Sequence, residues 1–219
     1  MLFRSGWPDQ EKLLVLTEPE GDLSVAGRKD VKVLRPKNYR EMSQIIEGLH
    51  TKQAERWPTV VFDSVTFMTE IIGGKDINQT YLDNKDVRRA YGKVGAAVNQ
   101  LIHDAVALPM NVVFTAQMRS EQPSEEQVPL NPEEGKYPLT LAITPMVYSV
   151  LVPAVSFIGR TYKTVGYQKL GNKPAVQTVE YMTSFEDFGK SPAGSRLPIP
   201  PQVRNLDLQD LLASLTKEV

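Results

Sequence analysis

The chain has 219 residues, 41 % hydrophobic and 23 % charged, with a formal net charge of −1. A chain of this length forms one domain, or one domain with an insertion, and buries enough surface to fold without covalent staples. It has no cysteine, which excludes disulfides, zinc–thiolate sites and cysteine nucleophiles, and its two histidines, His50 and His103, leave little for a triad or a His-rich metal site. The charge balance excludes a global basic field for nucleic acid but leaves room for a local patch. No stretch approaches the ~20 apolar residues of a membrane span. Met1–Gln10 lacks the apolar core of a signal peptide, so a cytoplasmic protein with no membrane partner is expected.

In chain order, Lys12–Thr17 is a short apolar run that reads as a buried strand, and Val31–Leu34 reads as a second. Asn38 caps a helix running to about Ala54, with Met42, Ile45, Ile46 and Leu49 on one face. After Trp57-Pro58 comes a third strand, Thr59–Phe62, ending in Asp63-Ser64. A helix over about Val65–Ile72 stops at Gly73-Gly74, and a polar loop follows. A long helix is expected from about Lys85 to Ala107, then a fourth strand, Asn111–Ala116.

Residues 119–138 are rich in proline and carboxylate and read as a long excursion. Beyond them, Ile143–Leu151 looks helical. Val155–Thr164, Gly166–Leu170 and Ala175–Met182 alternate like antiparallel strands, with Gly171-Asn172 as a hairpin turn. Asp207–Lys217 is a short amphipathic helix. The expected division is one domain over 1–205 and a C-terminal helix over 206–219.

Three strand ends carry the chemistry. Thr59–Asp63 joins four apolar or β-branched residues to an acid, the Walker B pattern, in which the carboxylate at the sheet's C-terminal edge holds a magnesium ion beside nucleotide phosphates. The same pattern fits a buried strand ending in an N-capping Asp. Asn111–Gln117 is a second buried strand with a polar end, and Leu14–Glu18 a third ending in an acid. Glu18, Asp63 and Gln117 would then share one sheet edge, where open α/β sheets bind ligands.

In their order and spacing LLVLTEPEG, TVVFDSVT, AYGKVGAAVNQLI and NVVFTAQM resemble successive motifs of the RecA-like ATPases of tailed phages, AAA-family P-loop proteins linked to single-strand annealing and recombination. The resemblance spans about residues 10–205. It implies an α/β, RecA-like three-layer domain with a mostly parallel sheet, followed by antiparallel strands. It also implies ATP and Mg2+ as ligands, a homo-oligomer acting on single-stranded DNA, and a location in the host cytoplasm. By that likeness Glu18 activates water, Asp63 with Ser64 serves the metal and nucleotide, and Gln117 is the sensor. Lys190 and Arg196 fall near where such proteins present basic residues to a neighbouring subunit's nucleotide.

One departure is large. The likeness implies a G-x-x-x-x-G-K-[ST] loop upstream of Glu18, with its strand, and the sequence holds neither. The expectation is weak or absent hydrolysis, from an N-terminal truncation or a degenerate relative; the alternative is a non-enzymatic scaffold or oligomerisation module on the same fold. The strands flanking the lost one would expose their edges or pair with each other. Ser184–Ser191 differs from the loop by one residue, but Pro192 follows it and no helix start does. Lys85, Arg88, Arg89 and Lys93 with Tyr91 form a modest basic face, readable as a nucleic-acid contact or a solvated helix surface.

Overall fold

The computed structural model describes residues 12–19, 21, 25–51, 56–73, 87–120, 139–168, 176–186, 192–208, 210, 211 and 213. Strands β1 (Lys12–Leu16), β2 (Val31–Leu34), β3 (Thr59–Asp63) and β4 (Asn111–Phe114) form one parallel sheet in the order β2-β1-β3-β4. β1 thus pairs directly with β3, and β3 with β4. Leu13 lies opposite Val60 and Val15 opposite Phe62, so these four side chains share a face, each no more than 2 % exposed. Leu14 and Leu16 on the opposite face are buried as well. Burial on both faces explains why β1 is an unbroken apolar run rather than an alternating one.

Four helices contribute to one core cluster with Leu13, Val15, Val60 and Phe62. They are α1 (Tyr39–Leu49), α2 (residues 65–73), α3 (Val87–Val106) and α4 (Pro145–Ala154). α1 starts where Asn38 accepts from the Glu41 amide at 3.0 Å while Glu41 accepts from the Lys37 amide at 2.8 Å. It ends at Leu49, short of the expected Ala54. Its apolar stripe would next need residues 52 and 53, which are Lys and Gln, and the Thr51 hydroxyl caps the Gly48 carbonyl instead. α4 starts at Pro145, two residues later than expected, because Thr144 takes the cap position. Lys85, expected to open α3, lies outside the described residues.

β8 (Arg160–Gln168) and β9 (Val176–Ser184) pair antiparallel along their whole length, with β11 (Gln202–Arg204) on the other side of β9. The expected break between Thr164 and Gly166 does not occur: Val165 pairs with Val179 inside one continuous strand. β7 (Phe157–Ile158) pairs with β10 (Gly194–Ser195), and β5 (Met118–Ser120) with β6 (Leu139–Leu141). The turn at Gly171-Asn172 lies outside the described residues. In the C-terminal segment the described residues 208, 210, 211 and 213 are helical, with Leu208 and Leu211 buried.

The chain forms two compact units. One holds the parallel sheet and α1–α4, from residues 8–119 and 141–155; the other holds the antiparallel strands from 156 onward and residues 120–140. Among the described residues no helix is long and apolar enough to cross a membrane.

Candidate functional site

All strands of a parallel sheet end on one rim, so whatever follows β1, β3 and β4 is gathered there. Thr17-Glu18 follows β1, Asp63-Ser64 closes β3, and Thr115 to Gln117 follows β4. Leu16 lies opposite Asp63, which brings the ends of β1 and β3 level.

Backbone and side-chain bonds fix this rim. The amides of Thr17 and Glu18 both donate to the Asp63 carbonyl, at 2.7 and 3.2 Å. The Thr17 hydroxyl donates to the Ser64 carbonyl at 2.6 Å and accepts from the Ser64 amide at 2.8 Å. The Asp63–Ser64 peptide bond is cis. On the other side, the Thr115 amide donates to the Phe62 carbonyl at 3.0 Å, and the Val65 amide to the Thr115 carbonyl at 2.9 Å. The Gln117 amide donates to the Thr66 hydroxyl at 3.0 Å.

The candidate side chains meet across this frame. The Thr115 hydroxyl donates to Asp63 Oδ1, and among the described residues Oδ2 meets no donor. Gln117 Nε2 donates to Glu18 Oε1 at 3.0 Å, joining residues 99 apart in sequence. Asp63 and Glu18 are half-buried and Gln117 is exposed. Ser64 is 2 % exposed and its hydroxyl has no partner among the described residues. A buried hydroxyl is almost always bonded, so this one marks a place for water or a ligand.

Among the described residues no three His, Cys, Asp or Glu side chains converge to cage a metal. The donors at the rim are all oxygens, led by one carboxylate with an open oxygen. That set fits Mg2+, which takes one or two carboxylates and draws its other ligands from water and substrate phosphates. It does not fit zinc, which needs three or four protein ligands.

Glu18, Asp63, Ser64 and Gln117 are therefore brought together. Lys190 lies outside the described residues. Arg196 belongs to the other compact unit, where its amide donates to the Ser156 carbonyl at 3.0 Å. Of the near-loop at 184–191, Ser184 ends β9 and is buried with Phe185, and 187–191 lie outside the described residues. His50 Nε2 bonds the Asp104 carbonyl at 3.1 Å, a tie between helix ends, and His103 is exposed. Thr17 and Thr66 were missed as rim residues. The available signal was a hydroxyl residue directly after a buried strand or inside the first turn of the following helix.

The model of a family described as an AAA domain matches residues 4–197. No curated protein matches the chain.

Proposed function

The chain belongs to the AAA domain family, and from that premise we propose that it is a RecA-like nucleotide-binding protein of phage DNA recombination or replication, with its ATP–Mg2+ site at the rim of β1, β3 and β4. The observation that carries this reading is the convergence of Glu18, Asp63 and Gln117, with the Gln117–Glu18 bond of 3.0 Å closing it.

Asp63 and the unpartnered Ser64 hydroxyl would hold the hydrated magnesium ion, which supplies charge neutralisation for the phosphate oxygens. Thr115 keeps one oxygen of Asp63 occupied and so aims the other. Glu18 takes the proton of the water that attacks the γ-phosphorus, and ADP leaves with the electrons of the broken P–O bond. Gln117, holding Glu18 through its amide, aligns that carboxylate and reports on the γ-phosphate. The protein works as a homo-oligomer on single-stranded DNA, and Lys190 and Arg196 face a neighbour's nucleotide. Residues 1–219 contain no G-x-x-x-x-G-K-[ST] loop, so phosphate grip is poor and hydrolysis by these residues alone is weak.

Calorimetry with ATP tests the reading. Heat of binding is expected with Mg2+, less without it, and for Asp63→Ala no more in Mg2+ than the wild-type chain gives without it. If the wild-type chain releases no heat in either buffer, the nucleotide reading fails and a scaffold or oligomerisation module on this fold takes its place.

A further inference from the structure

α1 does not close against the edge of the parallel sheet. β2 is the edge strand, and by register its Lys32 and Leu34 lie on the face of Leu13 and Val15, the face that α1 packs on. Between β2 and α1 lies a cleft of about 600 Å³. Its helical wall is Glu41, Gln44, Ile45, Gly48 and Leu49, which share one arc of α1 beside the buried Met42 and Ile46. Arg35 follows β2 and Arg56 precedes β3, so they line the cleft from opposite rims of the sheet. The cleft therefore runs the length of the four-residue β2, ~13 Å.

Two residues keep it open and charged. Gly48 sits in ordinary helical backbone, without a positive φ, where an added Cβ would meet no heavy atom within 4 Å. Alanine or leucine would serve the helix better, and leucine would fill the cleft. Lys32 stands on the core face of the edge strand, beside Leu13, Leu34 and Leu49. Among the described residues neither Lys32 nor Gln44 has a polar partner, whereas Arg35 and Arg56 have partners within the protein, Arg56 lying over the Trp57 ring at 4.9 Å. Glu41, the carboxylate of the lining, accepts from the Lys37 amide and from Asn38 Nδ2, which holds it at the start of α1. The unmatched charge in the cleft is thus the Lys32 ammonium.

We propose that this cleft binds a small elongated organic anion, a carboxylate on an aliphatic chain. The acid group meets Lys32 and Gln44, and the chain lies along Leu34, Ile45 and Leu49. An apolar cleft of this size with a few polar groups has the make-up of a small-molecule site. Burial of the chain supplies the affinity, and the ammonium selects the charge. The guest is not a peptide strand, because a lysine facing inward on an edge strand obstructs strand addition. Glu18, Asp63 and Gln117 take no part, so the cleft does not depend on nucleotide at the rim.

The test is titration of the full chain with sodium octanoate, and with octanol as the neutral control, followed by amide shifts in nitrogen–proton correlation spectra. Octanoate should shift the Lys32, Gly48 and Trp57 signals together, with a Kd on the order of 1 mM, and octanol should bind more weakly. Gly48→Leu should weaken both ligands at least about tenfold while raising the urea midpoint. Lys32→Met should weaken octanoate about threefold, the worth of one exposed charge pair, and leave octanol unchanged. The proposal is overturned by wild-type shifts that are absent or scattered outside the cleft. It is overturned equally by Gly48→Leu binding like wild type or unfolding at lower urea, or by Lys32→Met losing both ligands alike. A concentration-dependent mass in ultracentrifugation that Gly48→Leu abolishes would make the guest a second copy of the chain, and would overturn it too.

Discussion

Gln117 Nε2 donates to Glu18 Oε1 across 3.0 Å, so the end of β4 holds the end of β1 over β3, the strand between them. The bond fixes the carboxylate assigned as base without adding charge to it. Gln117→Ala should therefore slow phosphate release about 100-fold, the lower range for a displaced general base. Glu18→Gln should cost at least as much. The double variant should be no slower than the worse single one, because residues acting as a unit are not additive. Both side chains are at least partly exposed, so unfolding midpoints should stay within a few degrees of wild type. Single-turnover phosphate release with protein in excess reads the rates. Additive losses would show the two residues to act separately.

Thr115 does for Asp63 what Gln117 does for Glu18. Its hydroxyl occupies Asp63 Oδ1. Thr115→Val keeps the shape and removes the donor, so the carboxylate is free to turn. Second-sphere partners of this kind are worth about 10–100-fold in metal affinity. The Mg2+-dependent part of ATP binding should weaken by about tenfold and the Mg2+-independent part should not change. Thr115→Ser should behave as wild type. Equal loss in both buffers would mean the residue serves the fold and not the metal.

The rim was legible because buried parallel strands are unbroken apolar runs, and the polar residue ending each run stands out. Glu18, Asp63 and Gln117 could be aligned on that basis alone. Which strand neighbours which was less legible. The pairing of Thr115 with Asp63 needs β4 beside β3, and the direct β1–β3 pairing makes Thr17 a partner of Ser64. Neither follows from composition or periodicity. The end of α1 was overrun because polar residues tolerate helix as readily as turn. In β8, Gly166 suggested a break, yet it lies mid-strand where the Thr178 hydroxyl comes within 3.2 Å of the position a Cβ would take. Glycine there marks a close cross-strand approach, not a turn.

The start of β1 is held by charge. Asp30 accepts from Arg28 Nε at 3.0 Å and from Arg28 Nη2, and from Lys12 Nζ at 3.1 Å. These partners, Arg28 first, hold its carboxyl well below the usual carboxylate range. A carboxyl depressed on folding stabilises the fold above its unfolded value of about 3.9, and that contribution is lost as pH falls toward the folded value. Asp30 is 37 % exposed, so screening limits the effect to roughly 1 kcal/mol at most. Asp30→Asn should lower the urea midpoint slightly at pH 7. The gap from wild type should close as pH drops below about 4 and should shrink in ~1 M NaCl. A gap that persists unchanged at low pH would place the effect in packing rather than charge.

Thr17 is the most exacting residue of the rim for stability. It is 5 % exposed, and its single hydroxyl both donates to the Ser64 carbonyl and accepts from the Ser64 amide. Thr17→Val fills the same volume, so no cavity confuses the result. It strands one buried donor and one buried acceptor, each costing about 1–3 kcal/mol when left unmade. Chemical denaturation should show a loss of about 2–4 kcal/mol, with Thr17→Ser recovering most of it. The Asp63 carbonyl still takes the amides of Thr17 and Glu18 in the variant, so the main chain of β1 and β3 should remain joined and far-ultraviolet dichroism should be native. A loss under about 0.5 kcal/mol would mean that water replaces the hydroxyl, and that the rim is wetter and looser than its hydrogen bonds imply.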